Sequence, residues 1–208
     1  MTRKPQARTA QTRDRLVAAA RDIVAETGLA GLRTEAVVAR AATAKGTFFA
    51  HFPDKDHLLA LLLAEILRAE VAQLAVPASR EQLADNLDRV FAAFSSEPER
   101  LTLLVRFSGP VGVGLGIDEV IHDVIAGFAG GLAGMQARGM IAPGGDPALL
   151  GEGLVAFLFH AAASAQCPLT TMDKDAARRR AQVLLHRLTD ALLWPGTESA
   201  GKAARSGG

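Results

Sequence analysis

The stretch TAKGTFFAHFPDK, residues Thr43–Lys55, decides how this chain folds. It gathers three phenylalanines, one histidine and two lysines in a protein that has no tyrosine at all. A helix over Ala44–Phe52, halted by Pro53, sets Phe48 and Phe52 four residues apart on one face. Those two rings belong to a small core. Lys45, Gly46, Thr47, Phe49, Ala50 and His51 are left on the outward face or its rim, where a lysine, a hydroxyl and an imidazole suit a charged partner.

Upstream, the chain supplies what such a helix needs for support. A first helix is signalled from Thr12, with Asp14 at its positive end and Leu16, Ala20, Ile23, Val24 and Thr27 on one stripe; Gly28 stops it. Thr34 opens a short second helix, with Glu35 in its first turn and Val37, Val38 and Ala41 inward. A break at Ala42–Thr43 separates it from Ala44. Two short helices joined by a tight turn and braced by a third form a helix-turn-helix, whose second helix enters the DNA major groove.

Charge agrees with that placement. Residues 1–60 hold ten Lys/Arg against six Asp/Glu, a balance of +4, and the remainder holds thirteen against sixteen, a balance of −3. A basic first third on a slightly acidic body fits a polyanion. The single cysteine, Cys167, excludes an internal disulfide and suits a reducing, cytoplasmic setting. MTRKPQART lacks the apolar stretch of a secretory signal. The apolar run Leu58–Ala64 ends at Glu65, far short of the ~20 residues of a membrane span.

The rest of the chain also reads as helix, so the fold class is all-α with about nine helices. Asp54 caps a long helix running to about Val76. Ser79 opens another through a capping box in which Gln82 reaches back to the capping amide, with Leu83, Leu87, Val90, Phe91 and Phe94 on its stripe. Further helices are expected over Pro98–Phe107, Asp118–Arg138, Pro147–Gln166 and Asp173–Trp194, with a loop over Ser108–Gly116. The domain reading is a flexible basic arm at 1–11, a DNA-binding domain at 12–54 with its motif at about 33–52, a ligand-binding and dimerisation domain at 55–195, and a disordered tail at 196–208.

Over residues 12–67 the chain resembles the Tet repressor (TetR) family, whose usual segment is close to GVSKGTLYHHFPSKEALL; AATAKGTFFAHFPDKDHLL stands here in the same register. The resemblance implies a DNA-binding transcriptional regulator, a homodimeric repressor released from a palindromic operator by a small apolar or aromatic effector, with no cofactor, metal or catalytic residue. It assigns Thr34, Thr47 and His51 to phosphate contacts, Lys45 to a guanine edge, Gly46 to close backbone approach, and Lys55 to a helix-end phosphate contact. Thr43 is counted among the DNA-contacting residues, and Arg33 and the arm residues Arg3, Lys4 and Arg8 are further backbone or minor-groove contacts. Two positions depart from the pattern. Phe49 stands at the usual Tyr and can pack on a thymine methyl or sugar; Ala44 stands at the usual Ser, which shifts capping to Thr43.

In the body, the helix over Pro147–Gln166 is apolar nearly all round, which asks for burial on more than one side. The following helix carries Ala177, Ala181, Leu184, Leu185, Leu188 and Leu192 on one stripe, with Arg178–Arg180 on a solvated face. The last two helices are therefore the expected dimer interface. Four glycines in the helix over Asp118–Arg138 ask either for close backbone approach or for ligand space. The resemblance favours an effector pocket lined by Phe91, Phe94, Phe107, Phe128, Met135 and Phe157, with His122 and His160 as polar anchors. Two rival readings are a helical adaptor that binds only protein and a Cys/His enzyme or redox sensor using Cys167 with His160. The adaptor leaves the basic arm and Lys45, Thr47, His51 and Lys55 unexplained. The enzyme lacks a complete ligand set, and GPVGVGLG does not fit a phosphate-binding G-x-G-x-x-G.

Overall fold

The computed structural model describes residues 4–166 and 172–195; Arg3, Cys167 and the expected tail at 196–208 lie outside them. Among the described residues are nine α-helices and no strand: α1 Lys4–Thr27, α2 Thr34–Arg40, α3 Lys45–His51, α4 Lys55–Val71, α5 Arg80–Ser95, α6 Pro98–Phe107, α7 Ile117–Ala137, α8 Pro147–Gln166 and α9 Lys174–Leu193. They divide into two compact units. The first takes the described residues through Arg68 with Thr102–Asp118, and the second takes Ala69–Leu101 with the described residues from Glu119 onward.

In the first unit, α1 starts eight residues before Thr12, so the expected flexible arm is helical from Lys4. Pro5 falls in the first turn, where its missing N–H costs nothing, and no glycine follows until Gly28. Thr12 consequently caps nothing; its hydroxyl donates to Arg8 O at 2.9 Å within the helix. The chain stops at Gly28 (φ 72°), passes through a 3-10 turn at Leu29–Gly31, and enters α2 from an extended Arg33. Leu16, Ala20, Ile23, Leu29, Leu32, Val37, Phe48 and Phe52 form the core of this unit, each at most 4% exposed.

The turn from α2 into α3 has a defined geometry. Thr43 N–H donates to Val38 O (2.9 Å) and Ala42 N–H to Ala39 O (3.2 Å), the paired bonds of a Schellman C-terminus. That motif places its C′ residue in the left-handed region, and Ala42 sits there at φ 48°. Ala44 is then the N-cap of α3 and offers no side-chain bond. The capping expected of Thr43 does not occur: its hydroxyl oxygen is buried and without a hydrogen-bond partner among the described residues.

Asp54 does cap α4, accepting from His57 N at 2.9 Å. The helix ends at Val71 rather than near Val76, closing in tight turns in which Gln73 N–H donates to Glu70 O (3.3 Å) and Leu74 N–H to Val71 O (2.9 Å). In the second unit, Ser79 Oγ accepts from Gln82 N at 3.2 Å, and Gln82 Oε1 reaches back to Ala78 N at 2.8 Å, one residue earlier than expected. Helices α5, α8 and α9 pack on one another. The loop expected over Ser108–Gly116 is irregular apart from a 3-10 turn at Pro110–Gly112, and it belongs to the first unit. Of the glycines in α7, Gly131 has a packing reason: a Cβ there would lie 2.4 Å from the Pro77 ring.

Candidate nucleic-acid interface

Helix α3 buries one face and bares the other. Phe48 is fully buried and Phe52 is 2% exposed, with the Arg13 guanidinium 5.2 Å from the Phe52 ring centre. On the opposite face Lys45, Gly46 and Ala50 are exposed, while Thr47 and His51 are half-buried. Phe49 is 49% exposed, its ring edge-on to Phe48 at 5.3 Å between centres. At Gly46 an added Cβ would meet nothing within 4 Å. Glycine in a helix costs ~1 kcal/mol against alanine, and no packing inside the chain requires it here. The open space faces outward, where another molecule's backbone can come close.

The charges around α3 are more entangled than their number suggests. Lys45 Nζ lies 2.7 Å from Glu35 Oε1, across the turn on α2. Hydrogen bonding from Lys45 holds the Glu35 carboxyl below its ordinary range. Arg40, at the end of α2, makes two bonds of 2.8 and 2.9 Å to Glu26 of α1, and Glu26 is lowered by that contact. Arg33 Nη1 donates to Ala30 O and Leu32 O, which draws the guanidinium back onto its own turn. Thr34 opens α2 half-buried, and Lys55 opens α4 in the same state. Arg8 is exposed on α1. Sequence reasoning read Glu35 only as a first-turn carboxylate; its opposite sign ten residues before Lys45, across a tight turn, was the available signal.

At the α4 start, Asp54 Oδ1 also lies 2.8 Å from His57 Nδ1, and Arg106 pairs with both Asp54 and Asp56. Partial burial alone would raise the Asp54 pKa. The hydrogen bonds from His57, helped by Arg106, outweigh it and bring the carboxyl below its ordinary value.

The residues nominated for an effector pocket do not converge. Phe91, Phe94, Phe128 and Met135 are core residues, none more than 2% exposed. Phe107 belongs to the first unit, where it packs edge-on against His57 at 5.0 Å. His122 and His160 are exposed and Phe157 half-buried. A cavity of about 430 Å³ instead opens in the second unit among Glu70, Val71, Gln73, Leu74, Arg89, Val90, Ala92, Ala93, Ser96 and Arg100. None of the nominated eight lines it. A smaller cavity of about 90 Å³ touches Gly127 and Phe128. Periodicity marks which side chains are buried, and a cavity forms where helices diverge, which periodicity does not encode. Arg100, its side chain 11% exposed, is fastened by Ala93 O (2.9 Å) and by ion pairs to Glu70 (3.1 Å) and Glu97 (3.5 Å).

Comparison with known proteins bears on both units. Residues 16–62 match the family model described as bacterial regulatory proteins, tetR family. No curated protein matches the chain. Among solved structures, a TetR-family transcriptional regulator from Pectobacterium atrosepticum superposes with a TM-score of 0.65 at 22% identity, covering 92% of this chain and 98% of that one. The transcriptional regulator FadR from Bacillus subtilis, in complex with stearoyl-CoA, gives 0.56 at 17% identity over 83% and 96%. SmeT, the repressor of the Stenotrophomonas maltophilia multidrug efflux pump SmeDEF, gives 0.55 at 21% identity over 88% and 91%. At these identities the structural likeness shows a shared fold.

Proposed function

We propose that this chain, whose residues 16–62 are the DNA-binding segment of the TetR family and whose fold is that of the family's transcriptional regulators, is a homodimeric repressor released from a palindromic operator by a small apolar or aromatic effector. The observation that carries the DNA-binding part is the bared face of α3. Lys45, an unobstructed Gly46 and a half-exposed Phe49 stand together on a helix whose other face is locked into a core. In this reading Lys45 reaches a guanine edge, Thr34, Thr47, His51 and Lys55 meet phosphates, and Phe49 packs on a thymine methyl or sugar. Arg33 contributes to backbone contact once released from its own carbonyls.

Dimerisation finds support in α8 and α9. By length and composition α8 is apolar enough to cross a membrane, yet only 33% of that stretch is buried within the chain. Leu149 of α8 is 66% exposed, and Val183, Leu184 and Leu192 of α9 are 55%, 36% and 37% exposed. A core helix covered on its second side by another copy has that composition, and two helices from each protomer form a four-helix bundle. Two recognition helices about one DNA turn apart then match a palindrome. The cavity near Arg100 takes the effector: Val71, Leu74, Val90, Ala92 and Ala93 supply its apolar lining. Preferential effector binding to the DNA-free arrangement lowers operator affinity.

A gel-shift titration with the DNA flanking the protein's own gene tests the reading. Specific retardation that survives excess random DNA at physiological salt is expected, with Lys45→Ala weakening it by ~1–3 kcal/mol. Equal affinity for unrelated DNA, or no binding, overturns it.

A further inference from the structure

The Lys45–Glu35 pair carries a chemical pattern that neither residue has alone. An ammonium donor and a carboxylate acceptor are held 2.7 Å apart, one at the start of α3 and the other in the first turn of α2. Their side chains are 59% and 69% exposed, so both heads are open to a partner. An exposed pair of this kind contributes little to folding. It therefore costs little to share its remaining lone pairs and protons with something else. The ammonium has three N–H groups and the carboxylate about four lone-pair sites, and their mutual bond uses one of each.

The major-groove edge of a G·C base pair is the complement of that pattern. Guanine presents two acceptors, N7 and O6, and cytosine presents one donor, the N4 amino group. O6 and N4 are joined by the Watson–Crick bond, so they lie about 2.9 Å apart, the ordinary N–H···O distance. That spacing matches the 2.7 Å between Nζ and Oε1. We infer that Lys45 and Glu35 act as a single two-headed reader of one G·C pair, the lysine donating to guanine O6 and N7 while the carboxylate accepts from cytosine N4. An A·T pair serves less well. Its thymine O4 gives the lysine one acceptor, with the C5 methyl beside it, where guanine gives two. The carboxylate is thus a specificity element inside a basic interface: on DNA offering only phosphates it repels, and at the matching base pair it finds a donor. Glu35 is held ionised by its neighbour, so it accepts throughout the neutral range.

This inference rests on the DNA-binding reading, and one experiment separates the two. The full chain is first used to select from a random-sequence duplex library. Single base-pair replacements of the selected site are then measured for the wild type, Glu35→Gln and Lys45→Gln, with thermal melts confirming that each variant folds. The wild type is expected to lose affinity about tenfold when one particular G·C pair becomes A·T. Both variants should flatten the preference at that same position and leave the others intact. If Glu35→Gln keeps the wild-type profile, or tightens binding to every sequence alike with a steeper salt dependence, Glu35 is only a repelled charge and the inference fails. A library that enriches no sequence overturns the DNA-binding reading itself, and this inference falls with it.

Discussion

Replacing Ala42 by glycine should stabilise the first unit, although it removes a side chain. Ala42 occupies the C′ position of the Schellman turn after α2 at φ 48°. Left-handed backbone costs an L-residue about 1–2 kcal/mol, and glycine is nearly free of that cost. Against this, glycine adds freedom to the unfolded chain, worth ~0.4–1 kcal/mol. The methyl group lost is exposed, so no packing term enters. The balance is a gain of about 0.5–1 kcal/mol. The same chain contains its own control. Helix α7 ends in the same pair of bonds, Met140 N to Met135 O and Gly139 N to Gln136 O, with Gly139 at φ 69°. A Cβ on Gly139 would meet nothing within 4 Å, so Gly139→Ala isolates the backbone cost and should destabilise by a similar amount. The single tryptophan, Trp194, lies in the second unit and does not report on the turn. Native-state hydrogen exchange on peptides covering residues 34–52 is the suitable assay. Slowing of roughly two- to fivefold is expected for Ala42→Gly. Faster exchange would show that Ala42 is relaxed where it stands, and the assignment of strain to the turn would be wrong.

Three further outcomes follow from the same structure. Ala44→Ser should supply the missing N-cap of α3 and slow exchange there, by about 1 kcal/mol; no change would mean the first amides of α3 already have partners. Asp54→Ala should cost about 1 kcal/mol through loss of the α4 cap, with a pH signature. Because the folded Asp54 pKa lies below its ordinary value, the contribution is complete above the usual aspartate range and disappears as pH falls through the depressed folded value. Wild type and variant should therefore converge in acid melts, and a constant gap down to pH 2 would refute the assignment. Val183→Glu places a charge on the exposed apolar face of α9 and should raise the dissociation constant of the proposed dimer about thirtyfold, from ~2 kcal/mol of uncompensated burial, without unfolding the protomer. Sedimentation equilibrium reads that shift, and unchanged association would place the interface elsewhere.

Local rules carried much of the fold. Proline punctuation and apolar spacing located Pro98–Phe107 and the helix start at Pro147 to the residue, and the caps at Asp54, Ser79 and Asp173 form from side chains three residues from their amides. The division of labour on α3 was equally legible, because a four-residue spacing fixes two rings on one face whatever lies beneath them. The start of α1 was not, since Pro5 reads equally well as a breaker and as a first-turn residue.

What the amino-acid sequence determined by itself is the set of helices and the split of α3 into a buried and a bared face, because both follow from interactions among residues four or fewer apart. What only the tertiary structure decided is which side chains meet across elements. Glu35 joins Lys45 over a turn whose bend no periodicity specifies, and Arg33 folds back on its own carbonyls. Phe91, Phe94 and Phe128 fill the core of the second unit, and a cavity of about 430 Å³ opens beside Arg100. Such contacts depend on the crossing of helices, and a crossing is set by the summed packing of residues far apart in the chain.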